Sequence, residues 1–484
     1  MNRPPLAPSR QLVLLLLALS LVSNACITAH RTPNLEHIFV AARTKTGKRP
    51  VIVIPGILGS ELINSKTGET VWPSAFRTSQ EGLPISPDLA SNRDDLVPGK
   101  IIETVKLARI LPEVYVYRDL IEALRLYAGY RPGDWSNPAV DGYQDTFYVF
   151  PYDWRRDNVA NAQELIRRID SLKTKLHRPE LKFNIVAHSL GGLIARYAAM
   201  YGEADLPAGD GPIQPTWSGA AHISKIVMIG TPNEGSAEAF ATVLEGYSIT
   251  EGLRRRVPLL NKLTAEDVVR TPSVFQLMPH REVVRILDEN LQALAVDLYD
   301  PEVWKRYGWS VIYSSPEFRR HFTQTPGTDA AHVNSEDQLD AYLAATLRRA
   351  HRFHQALDAI ENSNSPVVLL AIGGDCEETL NAPVVLRDEK RNRWMTLIRP
   401  REYRTSTGTK ISKQMLTDAM FAPGDGRVTR ASLLGENLFK TRDTQTGFTL
   451  SRYAVFGCDL HGQLTRNKTL QDNALTAIVN EVLN

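Results

Sequence analysis

The chain has 484 residues, of which 43% are apolar and 23% are charged. This composition is typical of a folded globular protein and argues against intrinsic disorder, and the length is sufficient for one large core or two domains. Because 56 Lys and Arg residues nearly balance 54 Asp and Glu residues, the net charge of +2 gives no support to a nucleic-acid partner.

The N-terminus has the pattern of an export signal. Two arginines precede the apolar run 12–22, and the small residues Ser23 and Ala25 follow it. The run is too short to span a bilayer, which needs roughly 20 apolar residues. We therefore expect residues 1–25 to be a signal peptide and the chain to be exported; a buried N-terminal helix is the alternative.

Cys26 directly follows this signal, where bacterial lipoproteins carry an acylated cysteine. Two outcomes stay open for residues 26–48: a membrane tether through a lipidated Cys26, or a linker in a chain released as a secreted or periplasmic protein. The other two cysteines, Cys376 and Cys458, can pair in an oxidising compartment if their Cα atoms lie within about 7 Å.

Short apolar segments that predict buried strands alternate with segments of helical spacing. The predicted strands are VIVIP at 51–55, DTFYVFPYDW at 145–154, FNIVA at 183–187, KIVMIG at 225–230, VVLLAIGG at 367–374 and RYAVFG at 452–457. Asp157 or Asn158 can cap a helix after the second strand, and another helix follows the third. This alternation predicts an α/β fold, a mostly parallel sheet with helices on both faces and functional residues at the carboxyl ends of the strands.

Long helical segments replace the strands in the region 236–363. Two of them are REVVRILDENLQALAVDLY at 281–299 and EDQLDAYLAATLRRAHRFHQALDAI at 336–360. We predict an α-helical lid or cap insertion here, placed over the active end of the sheet. It would separate a first part of the core, 49–235, from a second part, 364–484.

Ser189 lies in AHSLG, directly after a predicted strand and at the start of a predicted helix. This is the nucleophile-elbow pattern GxSxG with Ala187 in place of the first glycine, a sharp turn that exposes the serine hydroxyl. The backbone N–H of Leu190 faces the same site and can stabilise an oxyanion. The alternative is that Ser189 only caps the helix. We interpret His188 as a structural or pocket-lining residue.

A nucleophilic serine needs a histidine base and a carboxylate that orients it, and in this fold they follow in the order serine, acid, histidine. Asp425 in APGDGRVTR and His461 in VFGCDLHGQL fit this order. His461 would take the proton of Ser189 and deliver it to the leaving group, while Asp425 fixes the tautomer. Asp375 is the alternative acid, and a simple turn is the alternative role for Asp425.

Six motifs, in order along the chain, resemble the lecithin:cholesterol acyltransferase-like group of α/β-hydrolases, which includes lysosomal phospholipase A2 and phospholipid:diacylglycerol acyltransferases. They are PVIVIPGILGSEL at 50–62, FPYDWR at 150–155, AHSLGG at 187–192, IGTPNEGS at 229–236, SVFQLMP at 273–279 and GDGRVT at 424–429. The resemblance covers most of the mature chain. It implies the α/β-hydrolase fold and the same catalytic residues, Ser189, Asp425 and His461.

The resemblance also implies two further roles. Ile57 would be the second oxyanion-hole donor through its backbone N–H, and Trp72 would be the mobile lid tryptophan that contacts the acyl chain or the lipid surface. Core packing is the alternative for Trp72. Asp153 and Arg155 are interpreted as a structural or orienting pair. Arg427 replaces a small residue of the family pattern, so the resemblance does not extend to lipid preference.

The predicted function is an exported serine acyltransferase or acyl hydrolase that forms an acyl-enzyme on Ser189. Its partners would be a phospholipid or other lipid ester, an alcohol or water acceptor, and a membrane or lipid surface. A secreted lipase or carboxylesterase is the first alternative, and a non-catalytic binding module with the same fold is the second. No cofactor or metal is expected, because no histidine and carboxylate cluster has ligand spacing.

Overall fold

The computed structural model describes residues 32–73, 94–106, 113–248, 262–280, 285–324, 336–359, 365–436, 450–455 and 457–480. The predicted signal peptide at 1–25 and Cys26 lie outside these ranges. In the part of the chain that is described, no helix is long and apolar enough to cross a membrane.

A seven-stranded sheet forms the centre of the molecule. In chain order its strands are β1 (Val51–Ile54), β2 (Arg131–Pro132), β3 (Thr146–Val149), β4 (Phe183–His188), β5 (Ile223–Ile229), β6 (Val368–Gly373) and β7 (Arg452–Val455). Their spatial order is β7-β6-β5-β4-β1-β3-β2, and every neighbouring pair is parallel. The six predicted strands all belong to this sheet.

Helices cover both faces of the sheet, which explains why its inner strands are mostly apolar. Along β1, Val51 and Val53 pack into one core while Ile52 and Ile54 pack into the other, because successive side chains point to opposite faces. The first core is closed by the helices Leu35–Ile38, Val40–Thr44, Arg118–Leu126 and Lys468–Val479, and the second by Asn158–Lys175 and Leu190–Tyr201.

Helices dominate the described part of the predicted insertion. They span Ala237–Glu245, Ala265–Val269, Pro272–Phe275, Pro301–Tyr307, Val311–Ser314, Pro316–Gln324 and Glu336–Leu357. The last one is the predicted helix at 336–360. Its buried apolar residues, such as Leu339, Leu343 and Leu347, recur every four residues and join the second core.

The prediction of a helix over 281–299 is wrong for residues 285–299, which are not helical. The Asp288 carboxylate accepts the amides of Asn290 at 2.8 Å and Gln292 at 2.9 Å and closes a turn there. The backbone of Leu287 pairs with the strand Val384–Asp388. Local side-chain capping and strand pairing therefore override the helical spacing of the apolar residues.

Small antiparallel sheets outside the central sheet were not predicted. The paired strands are Ser60–Asn64 with Thr70–Trp72 and Leu96–Ile101, Thr104–Lys106 with Glu113–Tyr115, Tyr247–Ser248 with Lys262–Leu263, Glu377–Leu380 with Phe421–Gly424, Val384–Asp388 with Arg393–Leu397, and Tyr403–Arg404 with Lys410–Ile411. The helices Lys413–Met420 and Arg430–Leu434 accompany them. Asp425 directly follows one of these strands.

Candidate active site

Ser189 lies at the turn between β4 and the helix Leu190–Tyr201, and its backbone is strained. Its φ of 54° and ψ of −125° are rarely adopted by residues other than glycine. The turn is tight enough that a Cβ atom on Gly191 would lie 2.5 Å from the carbonyl oxygen of Pro55. The amide of Ser189 donates to the oxygen of Ile229 at 2.8 Å, which fixes the turn to β5. These features are those of a nucleophile elbow.

The structure brings Ser189, His461 and Asp425 together, although 272 and 36 residues separate the two bonded pairs. Ser189 Oγ lies 2.9 Å from His461 Nε2, and His461 Nδ1 lies 2.8 Å from Asp425 Oδ2. All three side chains are buried. A hydroxyl, an imidazole and a carboxylate in this order can activate the hydroxyl as a nucleophile.

The carboxylate of Asp425 is held by its own turn. Its Oδ1 accepts the amides of Arg427 at 3.0 Å and Val428 at 2.8 Å, which leaves Oδ2 directed at the imidazole. A simple turn was the alternative role for Asp425. The turn is present, and it orients the carboxylate toward His461. Asp425, not the alternative Asp375, contacts His461.

Two backbone N–H groups are available beside Ser189. Those of Ile57 and Leu190 have no protein acceptor within the described ranges. The segment 55–59, called here the oxyanion loop, lies against the elbow: a Cβ atom on Gly56 would come within 2.8 Å of Ser189 Cβ. Unpaired amides at this place can bind a negatively charged oxygen.

Trp72 is fully buried and binds the oxyanion loop at Leu58. Its ring packs edge-on against Trp154 with the ring centroids 5.4 Å apart, and its Nε1–H donates to the oxygen of Leu58 at 3.0 Å. This environment fits the core-packing alternative. The contact with substrate stays a prediction.

A hydrogen-bond network around His188 was missed by sequence reasoning. His188 Nδ1 lies 2.8 Å from the hydroxyl of Tyr117, which accepts the amide of Gly56 at 2.7 Å. His188 Nε2 lies 3.1 Å from the main-chain oxygen of His461. Burial lowers the pKa of His188 to about 3 and raises the pKa of Tyr117 well above its ordinary value. No motif marks Tyr117, which lies in the connection before a helix.

Arg155 is fully buried between two carboxylates. Its guanidinium binds Asp153 at 2.7 and 2.9 Å and Asp94 at 2.7 and 2.9 Å. These carboxylates outweigh the opposing effect of burial and raise the pKa of Arg155. This geometry agrees with a structural role for Asp153 and Arg155.

Cys376 and Cys458 form a disulfide with a Cα to Cα distance of 5.1 Å. The disulfide connects the chain after β6 to the segment that leads to His461. Among the described residues, no group of three or more His, Cys, Asp or Glu side chains is placed to hold a metal ion.

Comparison with known proteins confirms the family resemblance and the fold class. The family model of lecithin:cholesterol acyltransferase matches residues 115–340, a range that includes Ser189 but ends before Asp425 and His461. A search of curated proteins by sequence gave no match.

Solved structures that match this chain are distant in sequence. A chain of the Tle4-Tli4 complex is 14% identical, with 90% of this chain and 99% of that chain covered and a TM-score of 0.52. The mature lipase BlEst2 of Bacillus licheniformis is 10% identical, with 90% and 92% covered and a TM-score of 0.32. EstA from Clostridium botulinum is 13% identical, with 92% and 91% covered and a TM-score of 0.33. At 14% identity the likeness to the chain of the Tle4-Tli4 complex concerns the fold alone.

Proposed function

We propose that this protein is an exported serine acyl hydrolase or acyltransferase that acts on lipid esters through an acyl-enzyme on Ser189. The observation that carries the proposal is the chain of hydrogen bonds from Asp425 through His461 to Ser189 at the carboxyl end of a parallel sheet. The backbone N–H groups of Ile57 and Leu190, which have no acceptor among the described residues, support the same chemistry.

In the first half-reaction, Ser189 Oγ attacks the acyl carbonyl while its proton passes to His461 Nε2. The carbonyl oxygen becomes an oxyanion bound by the N–H groups of Ile57 and Leu190, and Asp425 stabilises the imidazolium. When the intermediate collapses, the bond to the leaving alcohol breaks and His461 returns the proton to that alcohol. The acyl group then remains on Ser189 as an ester.

In the second half-reaction, water or an alcohol takes the place of the leaving group. His461 removes a proton from this acceptor, which attacks the acyl carbon. The ester bond to Ser189 Oγ then breaks, and His461 returns the proton to that oxygen. Hydrolysis and acyl transfer therefore use the same residues and differ only in the acceptor. The helical insertion is the element expected to decide which acceptor reaches the acyl-enzyme.

The lipid substrate class is supported by the match to the lecithin:cholesterol acyltransferase family over residues 115–340. A phospholipid or another lipid ester presented at a membrane or lipid surface would be the acyl donor. A secreted lipase or carboxylesterase acting on simpler esters is the second candidate, and the AHSLG elbow at Ser189 supports it. A non-catalytic binding module would have no need of three aligned catalytic groups.

Export is supported by the signal pattern at 1–25 and by the disulfide between Cys376 and Cys458, since disulfides persist in oxidising compartments. The mature chain would be either tethered through a lipidated Cys26 or released into the periplasm or medium. The mass of the mature N-terminus, with and without a Cys26→Ser substitution, distinguishes these two fates.

The decisive experiment uses phospholipid vesicles that also contain a long-chain alcohol. The wild type should release the acyl chain as free fatty acid or as an ester of the alcohol, and Ser189→Ala should do neither. A fluorophosphonate should label the wild type at Ser189 and leave Ser189→Ala unlabelled. Free fatty acid alone would rule out the transferase, turnover of soluble esters alone would favour the carboxylesterase, and equal activity in Ser189→Ala would overturn the proposal.

A further inference from the structure

We propose that Tyr117 and His188 are positioning residues that hold the oxyanion loop and the His461 segment in register with Ser189. This inference rests on the proposed acyl chemistry of Ser189. It adds a role for two buried side chains that take no part in the steps described above.

The network joins three segments that are far apart in the sequence. At one end, the amide of Gly56, which immediately precedes the oxyanion donor Ile57, donates to the hydroxyl of Tyr117 at 2.7 Å. That hydroxyl lies 2.8 Å from His188 Nδ1. At the other end, His188 Nε2 lies 3.1 Å from the main-chain oxygen of His461.

The direction of each hydrogen bond follows from the groups involved. A carbonyl oxygen can only accept, so His188 Nε2 must carry a proton to bind His461. In a neutral imidazole Nδ1 is then bare and accepts, so the hydroxyl of Tyr117 must donate to it. The same hydroxyl accepts the amide of Gly56 with a lone pair.

The surroundings keep His188 neutral, which this arrangement requires. The Tyr117 and His188 side chains are 2% and 6% exposed, and burial disfavours a charged imidazole. The rings of His188 and His461 have centroids 4.8 Å apart, so a charge on His188 would oppose the imidazolium that forms on His461 during catalysis. A neutral His188 can anchor the base without competing with it.

The consequence is a second support for the base, in addition to Asp425. Asp425 binds the ring and the amide of His461, whereas His188 binds the main-chain oxygen of the same residue. Tyr117 binds the amide of Gly56 at the same time. The network therefore holds both the oxyanion loop and the base in position relative to His188, the residue next to the nucleophile. A shift of about 1 Å in such groups can cost on the order of 100-fold in rate.

The test is Tyr117→Phe, which removes the hydroxyl and keeps the ring. We expect kcat for a soluble chromogenic ester to fall roughly 10- to 100-fold and KM to change less than about 3-fold, because reacting groups are misplaced and the substrate site is kept. The rate of Ser189 labelling by a fluorophosphonate should fall by a similar factor. All rates are divided by the concentration of active sites, counted as the amount of Ser189 that a fluorophosphonate finally labels. Loss of folded protein therefore does not enter the rates.

The matched control is Tyr148→Phe. Tyr148 is equally buried, and its hydroxyl donates to the oxygen of Gly142 at 2.8 Å, within the core and outside the network. The Tyr148→Phe variant should lose stability as Tyr117→Phe does but keep its rate per active site. If Tyr117→Phe also keeps that rate, the hydroxyl is merely structural and the inference is overturned.

His188 provides a second test through a conservative pair of variants. The amide of His188→Gln can donate and accept, so it should keep more of the rate than His188→Phe, which can do neither. Equal rates in the two variants would contradict the inference. Activity in Ser189→Ala would instead overturn the proposed function, whereas an inactive Ser189→Ala with an unimpaired Tyr117→Phe would overturn the positioning role alone.

Discussion

The amide of His461 donates to the main-chain oxygen of Asp425 at 2.8 Å, while the ring Nδ1 of His461 lies 2.8 Å from the Asp425 carboxylate. The two residues are therefore joined through both backbone and side chain. This double connection makes the acid and the base one unit, although the acid follows a strand outside the central sheet and the base follows β7. It also explains how Asp425, which lies outside the central sheet, stays in position to bind the ring of His461.

Asp425→Asn should lower kcat by about 10⁴-fold at neutral pH. The amide group would donate toward Nδ1 and favour the tautomer that cannot accept the proton of Ser189. The measurement is the steady-state hydrolysis of a soluble chromogenic ester.

Asp375→Asn is the control for this prediction. Asp375 is the alternative acid and follows β6. The substitution should leave kcat within about 2-fold of the wild type, because Asp425 supplies the only carboxylate bonded to His461 in the described part of the chain. A large loss in Asp375→Asn with little loss in Asp425→Asn would contradict the assignment.

Reduction of the disulfide should lower both stability and activity. Cys458 lies three residues before His461, and the bond to Cys376 closes a loop with a sequence separation of 82 residues. Loss of such a bond costs roughly 2–5 kcal/mol in the free energy of unfolding and frees the segment that carries the base. The double variant Cys376→Ser/Cys458→Ser should show a lower Tm and a lower kcat than the wild type.

Treatment of that double variant with a reductant is the matched control and should change nothing further. A wild type with the same Tm and kcat before and after complete reduction would contradict the prediction.

The sequence predicts the central features of this molecule because they depend on local patterns. Buried parallel strands are apolar throughout, and Ser189 and His461 follow strands of the central sheet, so they could be found from the residues around them. Tyr117 could not be found in this way, because its partner His188 is 71 residues away and nothing beside it in the chain marks the contact. The irregular segment 285–299 was misjudged because the turn at Asp288 competes with an apolar spacing that also suits a helix.

Arg155→Met should destabilise the protein by about 3–5 kcal/mol. The substitution leaves the buried carboxylate of Asp153 without the guanidinium that binds it at 2.7 Å. Urea unfolding at pH 7 measures the loss. The control is Arg131→Met, whose partner Asp141 is exposed, and which should cost less than about 1 kcal/mol. Similar losses in both variants would argue against a special structural role for Arg155.

Trp72→Ala distinguishes core packing from a mobile lid. The ring of Trp72 is fully buried against Trp154, so its truncation should lower the free energy of unfolding by about 3–5 kcal/mol. Trp72→Phe should cost less, because it fills most of the volume and loses only the donation to Leu58. A lid residue would behave differently, with full stability in Trp72→Ala and a loss of activity confined to lipid substrates.

The pH dependence of stability should reveal the neutral state of His188. Its pKa is about 3 in the folded protein, against about 6.5 for an unfolded chain, so the unfolded state binds the extra proton as the pH falls. His188 therefore contributes stability that is present above pH 6.5 and is lost between about pH 6.5 and 3, by up to about 1.4 kcal/mol per pH unit.

His188→Gln lacks this group, so its free energy of unfolding should fall less steeply than that of the wild type over that range and run parallel to it between pH 7 and 8. Histidines that do not contact His188 affect both proteins equally and cancel in the difference. Curves that stay parallel down to pH 4 would mean that His188 binds its proton equally well in the folded and unfolded states, which the buried hydrogen bonds to Tyr117 and His461 do not allow.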